Sequence, residues 1–134
     1  MTLQYSVAVR NARLDVVEST IGTSPVLQIK SGSVPATTAT ANSGTILASA
    51  TLPSDWMAAA SAGTKALSGT WQDTSADNTG TAAHFRIFSS TGTCHIQGTV
   101  TATGGGGDMT VDNTSFASGQ SFSVTTFTLT AGNA

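Results

Sequence analysis

The sequence predicts a mainly β fold: a jelly-roll-like β-sandwich preceded by a short N-terminal α-helix. Three observations predict it. Beyond residue 22 the chain breaks into short runs of alternating apolar and polar residues, separated by Gly, Ser and Asn turns, the pattern of stacked antiparallel sheets. Ahead of them, one stretch repeats its apolar residues at helical spacing. The final run, "SGQSFSVTTFTLTAGNA", places Phe122 and Val124 on one parity and Phe127 and Leu129 on the other. A bulge near Thr125 and Thr126 brings both pairs to the core, as where a strand bends between sheets.

Taken in order, "SVAVRNARLDVVESTIG" has Leu14, Val17 and Ile21 on one stripe, Ser6 as its cap and Gly22 as its stop. Asp15 and Glu18 lie in its second half, where the helix dipole does not favour them. The stripe is narrow, so the helix lies across its own domain or docks on a neighbour. "PVLQIK" alternates, with Leu27 and Ile29 facing one way and Gln28 and Lys30 the other. "SGSVPATTATANSG" has no periodicity and reads as a long surface loop. "TILASATL" is a strand with Ile46, Ala48, Ala50 and Leu52 on one face. "PSDWMAAASAG" opens on Pro53 and the cap-like Ser54, and suits one short helical turn. "KALSGTW" returns to extended structure, and "QDTSADNTG" is a loop. A hairpin follows in "HFRIFSSTGTCHIQG", then a strand whose glycine run, Gly104 to Gly107, reads as a flexible connection.

The 134 residues fit one domain, organised as a helical arm over residues 1–22 and a sandwich body over residues 23–134. Charged residues make up 9% of the chain and the net charge is -2. The five Lys and Arg form no run, so nucleic acid, which demands clustered cations, is not an expected partner. No apolar run approaches the roughly 18 residues of a membrane span, and no stretch reads as a signal peptide. The expected address is the cytoplasm where the chain is made, or a particle assembled there. A weakly charged surface permits close association with other subunits.

The hairpin carries both histidines and the only cysteine, so any reagents should be here. Simple alternation places His84, Arg86, Phe88, His95 and Gln97 on one face and Phe85, Ile87, Cys94 and Ile96 on the apolar one. Cys94 then points into the core, away from both imidazoles, which disfavours a zinc site and leaves the thiol inert. The glycine run lacks the Lys and Ser/Thr of a phosphate loop. Asp73, Asp77 and Asn78 lack the spacing of a calcium loop and suit turn chemistry. No carboxylate pair for hydrolysis emerges from Asp73, Asp77 and Asp108. Trp56 and Trp71 read as core before sugar platform. The expectation is a protein that is not an enzyme, with no cofactor and no metal.

Four stretches, "YSVAVRNARLDVVESTIG", "LPSDWMAAASAGTKALSGTW", "GTAAHFRIFSSTGTCHIQGTV" and "DMTVDNTSFASGQSFSVTTFTLTAGN", resemble in this order small virion structural proteins of tailed bacteriophages, among them capsid decoration, or cement, proteins. The resemblance implies a β-sandwich body bound outside the head shell as a dimer or trimer, with the major capsid protein as partner. It supplies no catalytic residues. Beside it, the low charge and the amphipathic N-terminal segment make Tyr5, Arg10, Arg13, Leu14 and Val17 the expected contact residues for capsid or for other copies. The alternatives are a glycan-binding tail or fibre module stacking sugars on Trp56 and Trp71, and a small hydrolase using Asp73 or Asp77.

Overall fold

A computed structural model describes residues 3–132. The helix α1 spans Val7–Ile21, and the Ser6 side chain accepts the Val9 N–H at its start. Gly22 closes it at φ 89° while donating its N–H to the Glu18 carbonyl. Both predicted caps are in place. The strands are β1 Val26–Lys30, β2 Ile46–Thr51, β3 Thr64–Ala66, β4 Gln72–Asp73, β5 Gly80–Thr81, β6 His84–Phe88, β7 Cys94–Ala102, β8 Met109–Val111, β9 Ser115–Phe116 and β10 Phe122–Thr130.

The fold is β-sandwich-like and mainly β, with the single predicted helix at its front. One hydrogen-bonded path runs β2-β1-β6-β7-β8-β10-β3, with β4 also on β10 and β5 pairing β9 separately. The path closes over one core: Leu27, Ile29, Phe85 and Ile87 share a cluster with Trp71, Phe122, Val124 and Phe127. Phe85 meets Phe127 edge-on at 5.4 Å between ring centres. The predicted bulge in β10 is present, since its register against β8 shifts between Val124 and Thr126. That one extra residue turns Phe122, Val124 and Phe127 into the core, with Leu129 packed partly buried against it.

Two local expectations fail. "PSDWMAAASAG" makes no helical turn; Met57 bridges Leu67 and Ser61 bridges Thr64 instead. Burying Trp56 and Met57 against β3 outweighs the capping signal. In β2 the register shifts opposite Lys30, so Leu47 enters the core beside Ala48, and Ile46 stays half-exposed.

The glycine run is a shaped crossover. β7 and β8 are parallel neighbours joined by residues 103–108 alone, where such a link ordinarily takes a dozen residues. Gly104 and Gly106 take φ of 86° and 82°, the left-handed region that glycine enters without cost. The other two give room: a Cβ on Gly105 would stand 2.7 Å from the Thr101 side chain, and one on Gly107 2.9 Å from the Thr101 nitrogen. Bonds from Gly105 N–H to the Ala102 carbonyl (2.9 Å) and from Gly107 N–H to Thr101 Oγ1 (3.0 Å) hold the turn.

Candidate functional site

The hairpin forms as predicted, with Arg86 opposite Gln97 and Ile87 opposite Ile96, but Phe88 stands opposite Cys94. His95 is therefore an extra residue in β7, and the bulge reverses the sidedness beyond it. Cys94 lies half-buried on the face of His84 and Arg86, not in the core as simple alternation predicts. Burial pushes its thiol up, and its Sγ is 3.5 Å from the Ile96 carbonyl. His95 is exposed and stands against Val16, Val17 and Thr20 of α1. Among the described residues no three His, Cys, Asp or Glu side chains are grouped to hold a metal ion.

The second face of β1 and β6 is polar and yet covered. Residues 31–45 fold over it, closed at their base by Ser31 N–H on the Thr45 carbonyl and Thr45 N–H on Ser31 Oγ. Arg86, 2% exposed, gathers this loop: its guanidinium donates to Asn42 Oδ1 (2.6 Å) and to the carbonyls of Thr37, Thr38 and Thr40 (3.2, 3.0 and 3.0 Å). Gln97 accepts from Arg86 Nε and donates to the Pro35 carbonyl. The unpatterned Thr/Ala stretch is thus a cap wrapped around a buried arginine.

Lys30 and His84 sit opposite one another under the same cap, 1% and 0% exposed. Burial lowers the Lys30 ammonium, and Arg86 adds repulsion. Burial also lowers His84; its 2.8 Å bond to the Gly32 carbonyl opposes this, while Lys30 and Arg86 reinforce it. Nε2 of His84 and Oε1 of Gln28 are buried without a hydrogen-bond partner. A base whose folded pKa is depressed stays neutral in the fold while the unfolded chain takes up a proton. Stability is therefore expected to fall as the pH drops through the ordinary histidine value of 6.5. The slope is at most about 1.4 kcal/mol per pH unit. Urea midpoints taken on either side of that value test it, and His84→Gln should flatten the dependence. The Asp15 contribution, from a carboxylate held low first by its hydrogen bond from Lys65, is lost only below 3.8, so the two losses set in at different pH.

The helix docks on its own domain. Arg10, Leu14, Val17 and Ile21 recur along one stripe facing the body. Leu14 and Ile21 are buried and Val17 packs on the core. Arg10 Nε donates to the Ala131 carbonyl at 2.6 Å, and its guanidinium lies where a side chain on Gly63 would be. Asp15 and Glu18, misplaced for the dipole, each meet Lys65 Nζ at 2.7 Å. Lys65 is 1% exposed; burial works against its charge, but the bonds to Asp15 and Glu18 outweigh this and hold it above its usual range. Trp56 Nε1 donates to the Gly22 carbonyl. So three of the expected contact residues, Arg10, Leu14 and Val17, are occupied within the domain. The expected arm, residues 1–22, and body, residues 23–134, meet through these contacts of α1; Met1, Thr2, Asn133 and Ala134 lie outside the described residues.

The remaining two, Tyr5 and Arg13, are on the outside, the Arg13 guanidinium 5.3 Å from the Tyr5 ring centre. Val9 and Val16, two helical turns apart, flank Arg13 on that face. Among the described residues, the large apolar side chains left exposed are Leu3, Tyr5, Val7, Val9 and Val16, at 43% to 70%. The sequence pattern does not single out Val9 and Val16, because they lie off the stripe of Leu14, Val17 and Ile21.

The carboxylates serve turns. Asp73 accepts from Ser75 and Ser49 N–H, and Asp108 from Thr99 N–H and Oγ1. Both tryptophans are core, 0% and 1% exposed, so neither offers a sugar a stacking face. Among the described residues no helix is long and apolar enough to cross a membrane. Comparison with protein-family models, with curated proteins and with solved structures finds no match to the chain.

Proposed function

We propose that this protein is a non-enzymatic decoration, or cement, protein of a tailed-bacteriophage capsid, binding the outside of the head shell across junctions between major capsid subunits. One observation carries the reading: among the described residues the exposed large apolar side chains are gathered in Leu3 to Val16, on a chain whose charged content is 9%. An apolar patch on an otherwise polar surface marks a place of association. Arg13 amid Val9 and Val16 adds one cation to fix orientation. A partner that binds only the assembled shell raises its stability by mass action, without chemistry. The capsid exterior is then its site, after synthesis in the host cytoplasm.

The test is particle binding by Val9→Glu/Val16→Glu. Both side chains point to solvent, so the melting transition should not move. Binding to heads should be lost, and imaging of virions with and without the protein should show its density at shell junctions. Undiminished binding by the double variant, or density elsewhere than on the shell, defeats the proposal.

A further inference from the structure

Between β7 and β10 the sheet has a slot one strand wide. β8 lies between them but covers only Val100–Ala102 of β7 and Val124–Phe127 of β10. Its line, continued backwards from Met109, would run between Ile96–Thr99 and Thr128–Thr130. The chain does not continue there, because the glycine crossover turns it away. A cleft of about 480 Å3 remains. Phe85, Ile96, Phe127 and Leu129 form its floor, and Gln97 and Thr128 stand at its rims.

Both walls present backbone to this cleft. Val100 N–H bonds the Ala83 carbonyl on the β6 side, so by alternation the peptide groups of Gln97 and Thr99 face the slot. On β10, the Phe127 carbonyl and Ala131 N–H serve the β3 side, so those of Thr128 and Thr130 face it too. At the inner end the missing strand is imitated by a side chain: Asp108 Oδ2 accepts the Thr99 N–H at 2.9 Å. Two facing edges of backbone, with the Thr99 N–H already held by Asp108, fit one kind of occupant, an extended backbone.

This chain contains such a segment. Leu3–Ser6 belongs to no strand of the described sheets, and "TLQYS" alternates polar and apolar residues, the period of a half-buried strand. Leu3 is 70% exposed. Leu3–Ser6 carries no charged side chain, so no side-chain charge in the segment resists burial. Four residues at about 3.3 Å each match the length of the slot. Within one chain, the Tyr5 ring lies against Arg13 on the outer face of α1, and none of Leu3–Ser6 lines the slot.

We propose that the slot between β7 and β10 receives residues Leu3–Ser6 of a second copy of this chain as an added strand, so that copies associate by strand insertion. Leu3 and Tyr5 then lie over the apolar floor, and Gln4 faces outward beside Gln97 and Thr128. This reading holds whether or not the assembly binds a capsid.

The test uses two full-length variants on a Cys94→Ser background, one carrying Gln4→Cys and the other Thr128→Cys, positions that share the outward face in the proposed pairing. Mixed and oxidised, they should give a disulfide-linked pair of unlike chains, which neither gives alone in comparable yield. Leu3→Asp should weaken self-association measured by sedimentation by at least about tenfold, with the circular dichroism spectrum unchanged. A monomeric parent protein, association indifferent to Leu3→Asp, or a mixed-variant link no more abundant than either variant gives alone each overturns the proposal.

Discussion

Arg86→Ala is expected to release residues 31–45 from the sheet and to cost roughly 3 kcal/mol. The guanidinium is buried and donates to four loop acceptors and to Gln97. Hydrogen bonds to a charged group contribute about 1.5–3 kcal/mol each when the partner must stay buried. Here the loop carbonyls can turn back to water, so the loss falls well short of the sum. The signature is local: limited proteolysis should cut the variant between Ser31 and Thr45 and leave the parent intact there. Arg86→Lys should fail to rescue, because one ammonium cannot span acceptors fixed in a fork. Removing the guanidinium also relieves Lys30 and His84 of a like charge, so the acid sensitivity near 6.5 should shrink with it. A variant as protease-resistant as the parent would show that the loop is held by something else.

The same residue shows where sequence reading stops. Alternation in "VLQIK" and "HFRIF" correctly separated Leu27, Ile29, Phe85 and Ile87 from Lys30, His84 and Arg86. It then sent the polar set to water, because polar residues usually face it. What covers them are mostly backbone carbonyls of the Thr/Ala loop, and carbonyls leave no mark in a sequence. Helix caps, the hairpin and the β10 bulge were legible because each is written in the side chains that make it. Cys94 was misplaced because a single inserted residue, His95, inverts the alternation, and no residue type announces it. The glycine run is ambiguous in sequence: the same four residues suit a floppy link or a crossover too tight for any Cβ. Of the expected contact residues, the apolar stripe of Leu14 and Val17 was readable as sticky, but Lys65, the residue that secures the helix to the body, lies some fifty positions away.

Trp71→Ala is expected to cost about 3–5 kcal/mol, enough to threaten a domain whose whole stability is of order 5–15 kcal/mol. Trp71 is 1% exposed, and its ring centre lies 5.8 Å from that of Trp56 and 5.5 Å from that of Phe127. With Phe127 on Phe85, the four rings form a row from the loop after β2, through β10, to β6. The indole is also pinned by its polar end, donating to the Trp56 and Ser68 carbonyls at 3.1 and 3.2 Å. Truncation thus opens a cavity in the middle of the row and takes a donor from the Ser68 carbonyl, while the Trp56 carbonyl keeps the Ser68 N–H. Neighbouring chain cannot collapse into the gap, because the carbonyls on one side belong to the β3 region and the ring on the other belongs to β10. Urea denaturation should show a shifted midpoint with little change in slope. Trp56→Ala should cost a similar amount, and the double variant less than the sum, since the rings are in direct contact and share what either loses. Strict additivity would mean that the two indoles stabilise the fold independently, and the row would then be a geometric coincidence with no energetic coupling.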